Sequence, residues 1–278
     1  SSAASDVYKR QALGRLGYPV VYLPVNADGI VTPDVLEKVI TTQTKLVSVM
    51  LVNNEIGTVE PICELAAVAH ASTALFHTDA VQAVGHIPID VNELCVDMLS
   101  ASAHKFNGPK GVGFLYVRKG TLLSPYVDGG AQEYGMRAGT ENVASIVGMA
   151  TALKKSCDEM QQTTAKLRMM ENIFIDTLSQ ANVDFIRNGA VNRVPGNINI
   201  SIRNASGEVL LHRLDLKGIS VSTGSACDSV NTKVSHVIQA IGVPQEYAKG
   251  TIRVSFGRDN ELKDAVEVAK AVADVLQR

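Results

Sequence analysis

Seven consecutive residues, Leu46-Val47-Ser48-Val49-Met50-Leu51-Val52, carry one serine and no charge. A strand that is apolar at both odd and even positions has no face to give to water. It must be covered on both sides, as the strands of a parallel sheet are. The surrounding pattern agrees. Val20–Leu23 reads as a shorter strand, Asp28-Gly29 as a turn, and Thr32-Pro33 as the cap-then-proline start of a helix. Downstream, a helix is expected over about Glu60–His70, then strands over Ala74–His77, Val96–Ser100 and Val112–Val117. This alternation predicts an α/β fold, a mostly parallel, doubly wound sheet flanked by helices.

From Glu141 the character changes. Glu141–Ala181 holds no proline and a single glycine, and reads as one long helix or two joined ones. Strands are then expected at Asn197–Ile202 and Ile219–Ser222, and helices from Gly207 and from Lys233. Thr251–Phe256 alternates, with Ile252, Val254 and Phe256 on one face, and an amphipathic helix covers about Glu261–Leu276. These elements suit a smaller C-terminal α+β domain. The boundary is placed inside the long helix, giving a large domain over 12–155 and a small one over 156–278. The opening Ser1-Ser2-Ala3-Ala4-Ser5 reads as a non-native linker running to about Gln11, and is set aside.

Composition narrows the function. With 46% hydrophobic and 19% charged residues, the 278-residue chain resembles a folded protein rather than a disordered one. Its 26 basic and 28 acidic residues leave a net charge of −2 without clusters of either sign. Proteins that bind nucleic acid or anionic membranes carry a basic face, so neither partner is expected. No uncharged apolar run approaches the ~18 residues of a membrane span. The cysteines Cys63, Cys95, Cys157 and Cys227 lie far apart, with no CxxC pair. That argues against a disulfide framework or a zinc site, and for a reducing compartment, the cytoplasm or a mitochondrial or other organelle matrix.

Three constellations carry chemistry. Phe76-His77-Thr78-Asp79-Ala80-Val81-Gln82 ends a strand on His, Asp and Gln, at the edge where open α/β sheets bind ligands. Asp79 would also suit a helix N-cap. Ser102-Ala103-His104-Lys105-Phe106-Asn107-Gly108-Pro109-Lys110-Gly111 follows the next strand. A lysine beside such a turn is ordinarily a solvated charge. Preceded by a serine and a histidine able to hold a phosphate, Lys105 instead suits a Schiff-base lysine. Asp79 and Lys105 are together the parts a pyridoxal phosphate site needs, a carboxylate for the pyridine nitrogen and an amine for the aldehyde. The third is Ser222-Thr223-Gly224-Ser225-Ala226-Cys227. Cys227 has small polar neighbours, so its thiol suits an accessible nucleophile, whereas Cys63, Cys95 and Cys157 read as small core hydrophobes.

Taken together these motifs resemble the NifS/IscS-type cysteine desulfurases of the class-V aminotransferase-like enzymes. Further matching stretches are Val52-Asn53-Asn54-Glu55-Ile56-Gly57, Gly129-Gly130-Ala131-Gln132-Glu133, Arg137-Ala138-Gly139-Thr140-Glu141-Asn142 and Gly250-Thr251-Ile252-Arg253. The resemblance runs in order from about residue 12 to the end of the sequence. It implies a PLP fold-type I enzyme, active as a homodimer. Lys105 would hold the cofactor covalently and move the substrate Cα proton, and Asp79 would pair with the pyridinium nitrogen. Asn54 and Gln82 would bond the phenolic oxygen, and Ser102 and His104 the phosphate, joined by Thr140 of the other subunit. Arg253 would clamp the substrate carboxylate, unless it is a solvated residue on the polar face of its strand. Cys227 would attack the sulfur of L-cysteine, leaving L-alanine and a Cys227 persulfide. The sulfur would go to an iron–sulfur scaffold protein or a tRNA-thiolation protein.

The family's N-terminal part, with a Gly/Thr phosphate-binding loop and a ring-stacking histidine, has no counterpart in this sequence. A truncated and impaired desulfurase is therefore expected. The rival readings are a selenocysteine lyase or other class-V enzyme with a passive Cys227, and a non-catalytic sulfur-transfer partner.

Overall fold

The computed structural model describes residues 11–223 and 234–277. Cys227 therefore lies outside the described residues. Two sheets organise the chain. The first contains β1 (Leu46–Met50), β2 (Leu75–Asp79), β3 (Met98–Ser102) and β4 (Gly113–Val117) in that spatial order. The apolar run beginning at Leu46 does become a parallel strand: β1 pairs with β2, and β2 with β3, all parallel. β4 returns antiparallel to β3, so the sheet is mixed.

The helix Ile62–Ala71 crosses from β1 to β2 and covers one face with Ile62, Leu65, Ala66 and Ala69. These lie at i, i+3, i+4 and i+7, the spacing of one helical stripe. With Val49, Phe76, Leu99 and Phe106 they form one apolar core. The opposite sheet face is more polar. There Ser48 and Ser100 flank His77, with Oγ–ring nitrogen distances of 2.8 and 2.7 Å.

The second sheet is antiparallel, in the order β5 (Phe185–Arg187), β6 (Asn197–Ile202), β7 (Thr251–Ser255). Ile252, Val254 and Phe256 face inward as their alternation requires, joining Ile198, Ile200, Phe174 and Val272 in a separate core. Helices Met160–Gln180 and Leu262–Leu276 cover this sheet, with the Phe174 and Phe256 rings meeting edge-on at 6.1 Å between centroids. The Glu141–Ala181 region resolves into two helices, Val143–Asp158 and Met160–Gln180, broken at Glu159.

Several local expectations fail for identifiable reasons. Val20–Leu23 forms no strand: Val21 and Tyr22 are exposed, and no strand pairs with it among the described residues. Ile219–Ser222 contributes only an isolated bridge from Ser222 to Arg253. β5 was not foreseen; at three residues it is too short to show a periodicity. Cys63 and Cys157 are exposed, so neither is a core residue, whereas the partly buried Cys95 packs against the first core. Cys63 falls off the Ile62–Ala69 stripe, and the helix carrying Cys157 buries none of its side chains.

Candidate functional site

Parallel pairing sets the site. Met50 lies opposite Asp79, and Asp79 opposite Ser100, so the carboxyl ends of β1, β2 and β3 share one sheet edge. The turn after each strand therefore opens on the same side, where such sheets bind ligands.

After β1 the chain makes a tight loop. Asn53 donates its N–H to the Thr58 carbonyl at 2.9 Å and accepts from Gly57 N–H at 2.9 Å. Its Oδ1 accepts from Glu55 and Ile56 N–H at 2.9 and 3.1 Å. Gly57 closes the loop at φ +74°, a left-handed conformation that glycine adopts without strain. Asn54 thus sits on a braced turn. After β2, Asp79 Oδ1 accepts from Val81 N–H at 2.9 Å and fixes the turn carrying Gln82. The carboxylate does the work of a cap, although no α-helix follows it.

After β3 the chain winds one 3-10 turn, Ala103–Phe106. Ala103 and Phe106 are fully buried and anchor the turn from below, so His104 and Lys105 face outward. Ser102 Oγ lies 2.8 Å from His104 Nδ1, pairing a hydroxyl with an imidazole beside Lys105. Partial burial, then the positive charges of Lys105 and Lys110, hold the His104 pKa below its ordinary value. Gly108 ends the turn within reach of the Ala103 carbonyl, donating to it at 2.8 Å. A Cβ at Gly108 would stand 2.9 Å from Ala103 Cβ, too close for any other residue.

Arg253 arrives from the second sheet. It is partly buried on β7, which corrects the solvated-face alternative. Its Nη1 donates to the Asn54 carbonyl at 2.8 Å and its Nη2 to Ser222 Oγ at 3.3 Å. Nε is buried without a partner among the described residues. Burial pushes the guanidinium pKa down, and the Glu55 carboxylate opposes that shift. Thr140 stands apart from this cluster. It is exposed, on a segment near Tyr126 and Tyr134, which are 94% and 99% exposed.

The structure thus brings Asn54, Asp79, Gln82, Ser102, His104 and Lys105 to adjacent turns of one sheet edge, and ties Arg253 to the first of these. The donor set suits pyridoxal phosphate: a carboxylate, a hydroxyl–imidazole pair and an exposed amine on neighbouring turns, with an unspent guanidinium donor close by. Sequence reasoning missed the residues that hold these groups. Asn197 Nδ2 donates to the Asn54 carbonyl at 3.3 Å, and Asn199 Nδ2 to the Glu55 carbonyl at 3.2 Å. Glu55 lay inside a motif already singled out, but only its backbone and side-chain partners reveal its place. No group of three or more His, Cys, Asp or Glu side chains suited to a metal occurs among the described residues.

Comparison with known proteins finds relatives over nearly the whole chain. The aminotransferase class-V family profile matches residues 3–268. The cysteine desulfurase IscS of Dictyoglomus turgidum is 49% identical over 267 residues, covering 96% of this chain and 67% of that protein. The IscS of Methanosarcina thermophila is 44% identical, covering 94% of this chain and 65% of that protein. Among solved structures, a NifS-like protein superposes with a TM-score of 0.89 at 34% identity, covering 98% of this chain and 72% of that one. The structure of SspA in complex with cysteine gives a TM-score of 0.77 at 32% identity, covering 91% and 70%. The chain spans about two thirds of the length of these two curated relatives.

Proposed function

The chain belongs to the class-V aminotransferase family, and we propose that it is the larger part of a cysteine desulfurase that converts L-cysteine to L-alanine and takes the sulfur on Cys227. The observation that carries this reading is the meeting of Asp79, Ser102-His104-Lys105 and Arg253 around adjacent strand ends. When bound, pyridoxal phosphate supplies an electron sink for the bonds around the substrate Cα.

The residues divide the work by chemistry. The Asp79 carboxylate would hold a proton on the ring nitrogen, and Ser102 with His104 would hydrogen-bond the phosphate. Asn54 and Gln82 bond the phenolic oxygen. Lys105 anchors the cofactor and moves the proton at the substrate Cα. Arg253 binds and orients the carboxylate with the planar fork that suits that group. Cys227 attacks the substrate sulfur: a bond forms between the two sulfurs, the C–S bond breaks, and L-alanine leaves with a persulfide on Cys227.

Thr140 completes the phosphate site of a second subunit in a homodimer, a reading supported by its own exposure and by that of Tyr126 and Tyr134 just upstream in the chain. The persulfide is passed to an acceptor of iron–sulfur assembly or tRNA thiolation. The test is alanine release from L-cysteine by wild type and by Cys227→Ala, with L-selenocysteine assayed beside it. The variant should keep its cofactor colour and lose turnover of cysteine. Turnover by Cys227→Ala at the wild-type rate would remove the persulfide step.

A further inference from the structure

The main-chain carbonyl of Asn54 accepts from two side chains. Arg253 Nη1 reaches it at 2.8 Å and Asn197 Nδ2 at 3.3 Å. A carbonyl oxygen has two lone pairs, so these two donors use its capacity. The same peptide unit is held at its other end, where Glu55 N–H donates to Asn53 Oδ1 at 2.9 Å. The next unit is held in the same way. Ile56 N–H donates to Asn53 Oδ1 at 3.1 Å, and the Glu55 carbonyl accepts from Asn199 Nδ2 at 3.2 Å. Two consecutive peptide planes are thereby fixed in orientation, on one side by the loop itself and on the other by β6.

The register of the second sheet explains how. Asn197 and Asn199 stand two residues apart on β6 and share a face. Asn199 lies directly opposite Arg253 of β7. All three side chains therefore project from one face of the sheet, toward the loop that begins at Asn53. Asn199 is fully buried, and its Oδ1 accepts from Asn188 Nδ2 at 2.7 Å, as suits a structural residue. Asn197 differs. Its amide makes one long bond between neutral groups, and its Oδ1 is buried with no partner among the described residues. An orphaned buried acceptor costs stability. For stability alone an apolar side chain would serve as well, so the amide calls for another explanation.

Arg253 supplies one. Its Nη2 donates to Ser222 Oγ at 3.3 Å, and its Nε has no partner among the described residues. The bond to the Asn54 carbonyl is the shortest that its guanidinium makes there, so that carbonyl sets the guanidinium plane. We propose that Asn197 is a positioning residue for Arg253: by filling the second lone pair of the Asn54 carbonyl it fixes the direction from which that carbonyl receives the guanidinium, and so the plane the fork presents to the substrate carboxylate. The inference rests on the reading of Arg253 as the group that binds that carboxylate. Pairing of a planar fork with a carboxylate is geometrically specific, so a tilt of the guanidinium weakens the grip.

The test compares Asn197→Ala and Asn197→Asp with wild type, and Asn197→Ala again in an Arg253→Lys background, in cofactor-loaded protein. Steady-state kinetics give kcat and KM for alanine release from L-cysteine. Nitrogen-15 NMR of the Arg253 guanidinium, without substrate, gives the rate at which its two Nη groups exchange by rotation about Nε–Cζ. Loss of one neutral hydrogen bond predicts a KM about three- to tenfold higher in Asn197→Ala. Its kcat and cofactor absorbance should stay at wild-type values, and the rotation should be faster. Asn197→Asp, of the same size, removes the donor and sets an anion beside the guanidinium, so its KM should rise further. In the Arg253→Lys background Asn197→Ala should change KM by less than about twofold, because residues that act through one another are not additive.

The proposal is overturned if Asn197→Ala leaves the rotation rate unchanged, or leaves KM unchanged while Arg253→Lys raises it. It is equally overturned if kcat and cofactor content fall along with the rise in KM, or if Asn197→Ala raises KM by the same factor in both backgrounds. A wild-type KM in Arg253→Lys would instead overturn the carboxylate-binding reading, while the rotation rates still decide whether Asn197 aligns Arg253.

Discussion

Arg253 Nη1 donates to the main-chain carbonyl of Asn54 across 2.8 Å, so a side chain of the second sheet is aligned by the backbone of a loop from the first. A carbonyl cannot be exchanged by mutation, so this particular bond is probed through the Arg253 side chain. An ammonium group reaches one acceptor without the planar fork, and Arg253→Lys should lose either the Asn54 bond or the carboxylate. Loss of one charge-assisted contact costs about 1.5–3 kcal/mol, a tenfold or greater rise in KM for L-cysteine. Cofactor content should not change. Steady-state kinetics with absorbance of the bound cofactor measure both.

Lys105 should be the covalent attachment point. Borohydride reduction of the cofactor-loaded protein followed by peptide mapping should place the pyridoxyl group on Lys105. Attachment at Lys110, on the far side of the Gly108 turn, would show that the 3-10 turn does not present the reactive amine.

Glu60 gives the protein a pH-dependent stability. Burial raises its pKa to about 7, while the hydrogen bond it accepts from Val31 N–H at 2.9 Å pulls the other way. The native state therefore holds a proton on Glu60 that the unfolded chain releases near its ordinary value of 4.5. Stability is greatest below pH 4.5 as far as this group is concerned, and declines as pH rises through about 7. The full effect is on the order of 3 kcal/mol. Glu60→Gln keeps an acceptor for Val31 and cannot ionise. Its urea midpoint should exceed that of wild type at pH 8 and approach it below pH 4.5.

Glu171 should matter to folding rather than to turnover. It is buried, accepting from Arg187 Nη2 at 2.8 Å and from Gly196 N–H at 2.6 Å. Removing one partner of a buried ion pair costs about 3–5 kcal/mol because the other charge stays behind. Arg187→Ala should lower Tm by several degrees in calorimetry, more than Glu171→Ala, because it leaves the nearly inaccessible Glu171 carboxylate behind, whereas Arg187 is the more exposed of the two. Equal losses would mean that the stranded charge is not what costs the stability.

What the sequence made legible follows from the range of the forces involved. β1, β6 and β7 could be read because alternation and apolar runs are local consequences of burial on one or both faces. Two joined helices over Glu141–Ala181 were one of two readings, but the break at Glu159 could not be placed, since Lys155 to Thr163 keeps a helical composition across it. Cys63 and Cys157 were misplaced because residue type was weighed more heavily than the position each takes on its helix. Asp79, Ser102, His104 and Lys105 were readable as a set because each lies in a compact stretch directly after a strand. Glu55 and Ser222 were visible as letters in a motif, yet the hydrogen bonds of their side chains run to Ser235 and Arg253, residues distant in sequence that only the folded chain brings to them.

The Asn54–Arg253 bond joins residues 199 positions apart in the chain. Contacts of such separation form late, after the local elements have paid their own ordering cost. During synthesis, the first sheet with its Lys105 turn emerges well before β7 does. Until β7 docks, the nascent chain can present the Lys105 amine and the Asp79 carboxylate without the guanidinium that we propose binds the substrate carboxylate. On that reading, the grip on the substrate is acquired only once the two sheets have come together.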